Sequence, residues 1–251
     1  MAVDDQGIRP FNARSLVLSV LLGLEPPVLP VRSLVAVGEL FGIAPGTMRT
    51  ALSRMVASGE LSIGDDGYRL RGRLLERKAA QDIGRRPTPS RWDGAWWVAV
   101  VSAPRRSIAD RRAFRVEMAN ARMGELRPDT WMRPANLAGP GGDDSLVVVR
   151  GPLTGPDPAE LAARLWPLTG LATTGTRLGL ALERAEPALA DGRPEALPGA
   201  ITLAAEVVRF LRAEPLLPDD LLPSPWPADE LRQRYRAFDR LLGRALANAV
   251  R

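Results

Sequence analysis

The chain has 251 residues, 45% of them hydrophobic, which is enough for two or three domains with sizeable cores. It contains no Cys and no His, so disulfides, thiolate chemistry, imidazole bases and the usual zinc ligands are excluded. The formal net charge is +5 and Lys78 is the only lysine; an enzyme built from this chain would depend on carboxylates or on that one amine.

In chain order, Asn12 can cap a helix running through residue 24, with Leu16, Val17, Val20, Leu21 and Leu24 on one face. Glu25-Pro26-Pro27 stops it. A short helix over 31–41 follows, with Ser33 a candidate cap, and Gly42 suits the left-handed position just past its end. The third helix lies in GIAPGTMRTALSRMVASGEL, residues 42–61, where Pro45 fits the first turn and Gly59 ends the helix. In ELSIGDDGYRL, alternation on both sides of Asp65-Asp66-Gly67 predicts a β-hairpin. Three helices and then a hairpin is the order of a winged helix-turn-helix.

A helix over 71–83 leads to GRRPTPSR, residues 84–91, the best linker in the chain. A strand over 95–102, a helix over 107–123, strands in TWMRPANL and SLVVVRGPL, and a helix over 157–166 then make a β-α-β-β-α pattern. That pattern suits a small ferredoxin-like α+β domain. From residue 167 the chain reads as helical, with a helix over 198–214, an extended proline-rich connector EPLLPDDLLPSPWP, and a last helix that opens on Asp229 and Glu230. The expected division is 1–83 winged helix, 84–91 linker, 92–166 ferredoxin-like domain and 167–251 helical domain. No apolar run reaches the roughly 18 residues of a membrane span, and the acidic start does not read as a signal peptide. A soluble cytoplasmic protein without a membrane partner is expected.

The third helix carries the functional signal. At 100° per residue, Met48, Ala51, Leu52, Met55 and Val56 form its core face. Thr50, Ser53, Arg54 and Ala57 point away, and Thr47 and Arg49 flank them, with no carboxylate before Glu60. Arginine can bind guanine edges bidentately in the major groove, and Thr or Ser can bond bases or phosphates. Taken alone, the face reads as a solvated helix surface. The preceding helix and the following hairpin favour DNA reading, with Arg69 and Arg71 on the wing as candidate phosphate or minor-groove contacts. Charge agrees: through Arg91 there are 13 basic and 9 acidic residues, whereas residues 171–251 have 11 of each.

Arg14 to Leu70 resembles the N-terminal domain of PaaX-like transcriptional regulators. The resemblance rests on RSLVLSVLLG, LFGIAPGTMRTALSRMVASGEL and DDGYRL, and continues through RWDGAWWVAVV, GELRPDTWMRP, RLWPLTGL and FLRAEPLLPDDLLPSPWPADELRQRY. It departs from the family pattern at Ala44-Pro45, where a polar cap is usual, and at Arg212-Ala213-Glu214-Pro215, where Arg-Asp-Pro is usual. The resemblance implies a winged helix, a middle domain similar to a CRISPR-associated nuclease fold, and a helical C-terminal domain. It also implies a homodimeric repressor of aromatic catabolism that binds double-stranded operator DNA and is released by an aryl-CoA thioester or another small effector; no cofactor is expected, and the lack of carboxylates on the first middle-domain strand argues against enzymatic activity.

For such an effector the sequence offers Trp97, Arg105, Arg106 and Trp166: indole walls for an aryl group and guanidiniums for phosphates. Ordinary core packing of the tryptophans and a solvated helix start at the arginines remain open readings. Two other functions also remain open: a winged-helix protein-interaction module without DNA specificity, and a metal-dependent nucleic-acid hydrolase. The first middle-domain strand carries no carboxylate, and Asp93 precedes it.

Overall fold

The computed structural model describes residues 11–24, 26–102, 107–141 and 144–249. Contacts divide the chain into two units. One is the chain up to Ala79 with Leu178–Val207 and Gln233 onward; the other is Ala80–Arg177 with Val208–Arg232.

In the first unit, Asn12 begins α1 (Ala13–Gly23), its Oδ1 accepting the Ser15 N–H at 2.8 Å. Leu16, Val17, Val20 and Leu21 are buried. Helix α2 (Val31–Leu40) starts behind Pro30 and has no side-chain cap. Ser33, the expected cap, lies inside the helix and is buried, because Pro30 takes the extended cap conformation three residues earlier. The end of α2 is as anticipated. Gly42 has φ +69°, its N–H donates to Glu39 O, and the Ile43 N–H donates to Gly38 O, both at 2.9 Å. This is a Schellman close, which glycine enters without a Cβ penalty.

Helix α3 (Pro45–Ala57) carries Pro45 in its first turn. It ends in the same way at Gly59 (φ +75°), with Glu60 N–H donating to Met55 O at 2.9 Å. Met48, Leu52 and Met55 are its buried face.

The wing is β2 (Leu61–Gly64) and β3 (Gly67–Leu70), joined by Asp65-Asp66. A two-residue strand, β1 (Val28–Leu29), pairs with the other edge of β3, giving the order β1-β3-β2. Sequence reasoning did not anticipate β1. Two residues between prolines carry no alternation signal, and the strand exists only through its partner. Gly67 permits the approach: its φ is +128°, and a Cβ there would lie 2.2 Å from Leu29 O.

Helix α4 (Arg73–Arg85) begins and ends two residues later than expected, so Gly84 and Arg85 are helical rather than linker. In the second unit, β4 (Ala95–Val101), β5 (Gly124–Arg127), β6 (Thr130–Pro134) and β7 (Leu146–Pro152) form a four-stranded antiparallel sheet of order β5-β6-β4-β7, with α5 (Ile108–Asn120) between β4 and β5 in the chain. With β6 lying between β4 and β5, the connection β4-α5-β5 is a split crossover of the ferredoxin-like kind. The expected β-α-β-β-α pattern lacked β5, because Gly124-Glu125-Leu126-Arg127 has little strand propensity and pairs with a bulge.

Alternation along β4 sends neighbouring side chains to opposite faces. One face holds Ala99, with Trp97 against it, and packs under α5 with Met118, Met123 and Trp131. The other face holds Trp96 and Met132 against Leu161 and Ala162 of α6 (Pro158–Leu165), together with Trp166, Leu217 and Leu221. Three long helices complete the chain: α7 (Leu168–Ala190), α8 (Leu197–Ala213) and α9 (Ala228–Ala249).

The proline-rich connector between α8 and α9 is held by buried guanidiniums. Arg122 donates to the carbonyls of Leu211, Arg212 and Glu214 at the end of α8. Arg133, fully buried, donates to Pro134 O, Ala121 O, Leu216 O and Asn136 Oδ1. Arg232 pairs with Glu214 and Asp229 and donates to Gly84 O at 3.0 Å. Burial pushes Arg122 and Arg133 down to about 10, with the charge of Glu214 opposing the shift; both remain cations at neutral pH.

Candidate nucleic-acid interface

The first unit presents α3 and the wing. Thr47, Arg49, Thr50, Ser53 and Arg54 are all exposed, opposite the Met48–Leu52–Met55 face, so the 100° periodicity places them as expected. Among the described residues, no side-chain hydrogen bond or ion pair engages Thr47, Arg49, Ser53 or Arg54. Thr50 differs: its hydroxyl donates to Gly46 O at 2.9 Å, which leaves its oxygen lone pairs as acceptors.

Glu60 is the first carboxylate after this face. It accepts from Arg14 Nε at 3.0 Å and forms a second, closer bond with Arg14 Nη2. The Arg14 guanidinium holds the Glu60 carboxyl below the ordinary carboxylate range, and Arg14 is correspondingly raised. The pair neutralises the first carboxylate after the basic face, and it ties α1 to the loop that follows α3.

On the wing, Arg69 and Arg71 are both exposed. Arg69 donates through Nε and Nη2 to Asp66 Oδ1 at 3.0 and 2.6 Å, and this bond lowers the Asp66 carboxyl. Any phosphate reaching Arg69 competes with that carboxylate. Arg71 follows β3, and its backbone N–H closes onto Glu60 O at 2.9 Å. Ile63, opposite Tyr68 in the hairpin, is 64% exposed. Alternation alone marked it as a strand residue; an apolar side chain standing clear of the wing was visible only in the fold.

The four residues considered for an effector are not gathered into one pocket. Trp97 packs with the α5 face of the sheet, donates from Nε1 to Leu137 O at 3.1 Å, and has Arg150 over its ring at 5.9 Å. Trp166 belongs to the opposite face, against Trp96, Met132 and Gly124. Arg105 and Arg106 lie outside the described residues. Asp93, the carboxylate before β4, is engaged by Arg150 at 2.6 Å and by the Ala95 N–H at 3.1 Å. Arg150 holds it below the usual carboxylate range. Among the described residues no three of His, Cys, Asp and Glu converge on one point, and no helix is long and apolar enough to cross a membrane.

Comparison with known proteins agrees with this architecture. No curated protein matches the chain. Among solved structures, the chain is similar to the uncharacterized protein Rv0674 from Mycobacterium tuberculosis, with a TM-score of 0.74 and 36% identity over 95% of this chain and 98% of that one. Residues 12–74, which span α1 to the wing, match the model for PaaX-like proteins. Residues 89–140 match the model for the PaaX central Cas2-like domain and cover the split crossover of the sheet. With both matches in chain order on the two elements they describe, and a relative this similar along its whole length, the chain belongs to the PaaX-like family of regulators.

Proposed function

We propose that the protein is a sequence-specific DNA-binding transcriptional repressor that works as a homodimer and is released from its operator by a small effector such as an aryl-CoA thioester. One observation carries the reading. The outward face of α3 is short, polar and cationic, its two guanidiniums have no partner among the described residues, and Glu60, the first carboxylate after it, is paired with Arg14. A helix furnished in this way can enter a major groove about 12 Å wide without presenting an acid to phosphate. Arg49 and Arg54 are the base-reading candidates, Thr47, Thr50 and Ser53 position the helix, and Arg69 and Arg71 meet backbone on the wing. The family is one of regulators, which supports a non-catalytic role.

The test is a gel shift with duplex DNA from upstream of the protein's own gene and neighbouring operons, repeated with acyl-CoA thioesters. Arg49→Ala and Arg54→Ala are each expected to weaken operator binding by about 1–3 kcal/mol, roughly 5- to 150-fold, while leaving the melting temperature unchanged. If both variants bind the operator like wild type, the assignment of α3 is wrong. If wild type shows no salt-dependent preference for any duplex, the protein-interaction reading replaces this one. If no thioester releases the DNA, that effector class is dropped.

A further inference from the structure

Outside the winged helix, α9 carries a continuous row of exposed arginines. Arg236, Arg240 and Arg244 follow one another at i, i+4 and i+8 on the exposed side of α9, opposite the buried Tyr235, Phe238, Leu242 and Ala245. None of the three has a hydrogen bond or ion pair among the described residues. Some surface arginines are paired, Arg14 with Glu60, Arg69 with Asp66, Arg115 with Glu125 and Arg150 with Asp93; others, Arg49 and Arg54 of α3 among them, are not. The other two arginines of α9 are paired, Arg232 with Asp229 and Glu214, and Arg234 with Glu183. Acids are not scarce in this part of the chain; residues 171–251 contain as many acidic as basic groups. Asp229 and Glu230 lie in the first turn of α9, and Asp239, three residues after Arg236, is half-buried and accepts from the Tyr235 hydroxyl.

Like charges four residues apart repel and weaken a helix. The helix dipole does not compensate, since no basic residue lies in the last turn of α9. The three guanidiniums therefore make no contribution to folding that is apparent in the structure.

The relief between them suits a backbone. Arg240, Gly243, Arg244 and Ala247 line a shallow hollow of about 470 Å³, and Gly243 has nothing within 4 Å of where a Cβ would stand. At 1.5 Å rise per residue the stripe spans roughly 12 Å, while a DNA strand presents a phosphate about every 3.4 Å of axis, so each guanidinium can meet a different phosphate. The exposed neighbours Gln233, Ala247 and Asn248 offer no aromatic or aliphatic anchor of the kind on which a protein interface centres. This half of α9 also belongs to the same unit as α3 and the wing.

We propose that Arg236, Arg240 and Arg244 form a second DNA contact, a sequence-independent clamp on the phosphate backbone of the duplex read by α3. The inference rests on the DNA-binding reading, but its signature is separate: it adds affinity and salt dependence without adding base discrimination.

The experiment measures fluorescence anisotropy of the full-length protein with an operator duplex and a scrambled duplex of equal length, across a salt series. The triple variant R236Q/R240Q/R244Q is expected to lower the steepness of log K against log salt by about 2–3, from roughly 0.9 per phosphate contact. It should weaken both duplexes alike, on the order of 100-fold at 0.1 M salt, and leave their affinity ratio unchanged. The triple lysine variant should keep the wild-type slope, which separates loss of charge from a disturbed helix.

A wild-type slope in the glutamine variant overturns the clamp and leaves the repressor reading standing. So does a lost operator preference at constant slope, or a change confined to oligomeric state. R49A/R54A should do the converse and collapse the affinity ratio. A wild-type protein that binds neither duplex overturns both readings.

Discussion

Glu214 is the only buried carboxylate among the described residues, and it sits beside three buried guanidiniums, Arg122, Arg133 and Arg232. One oxygen meets Arg232; the other accepts the Leu216 N–H at 3.1 Å and the Trp226 indole N–H at 3.3 Å. Glu214→Gln preserves volume and one acceptor but sets an amide donor against Arg232, and it leaves the cluster with three cations and no buried anion. Breaking a buried pair by removing one partner costs about 3–5 kcal/mol. For a chain of this length each kcal/mol shifts the melting point by about 2–4 °C, so a loss on the order of 10 °C is expected. Differential scanning calorimetry reads it directly. Removing the second charge as well, in Glu214→Gln with Arg232→Met, should restore a good part of the stability, because the uncompensated cation goes with it. A single variant that melts within 2 °C of wild type, or a double variant no better than the single, would show that the cluster is not electrostatically tight.

Gly67→Ala places a side chain at φ +128° and a Cβ 2.2 Å from Leu29 O; the backbone conformation alone costs about 1–3 kcal/mol. Loss of amide-exchange protection at Leu29 and across the β1–β3 pair is the expected result, and unchanged protection would contradict the close approach. The Arg14–Glu60 pair makes stability acid-sensitive. Because Arg14 depresses the folded-state Glu60 carboxyl below its ordinary value of 4.5, its contribution is complete above that value and is lost as pH falls through the lower, folded-state one. Arg14 is more than half exposed, so the amount is at most about 1 kcal/mol. The melting curves of wild type and Arg14→Ala against pH should therefore converge as the pH falls below 4.5; curves that stay parallel would remove the pair from the account.

The features legible before folding were those set by neighbouring residues. Asn12 satisfies an N–H three residues away, Pro45 enters a first turn that needs no N–H, and Gly42 and Gly59 take left-handed closes that a Cβ would strain. The same short range placed the outward face of α3, since a 100° period follows from the helix alone once Met48, Leu52 and Met55 are buried. What stayed hidden depended on distant partners. β1 exists through Gly67 some forty residues on, and β5 through its pairing with β6. Alternation could say that Trp96 and Trp97 face opposite ways, but only the packing of α6 put Trp166 with Trp96, dividing the proposed effector residues between two sides of a sheet.

Tertiary structure likewise decided which charges are free. As letters, the arginines of α9 are alike. Folding draws Arg232 to Glu214 and Arg234 to Glu183, leaving Arg236, Arg240 and Arg244 facing solvent. Short-range geometry is written into a sequence because caps, closes and helical faces need only a few consecutive residues. Ion pairing and burial are not, because they depend on which distant segments the fold brings within a few ångströms.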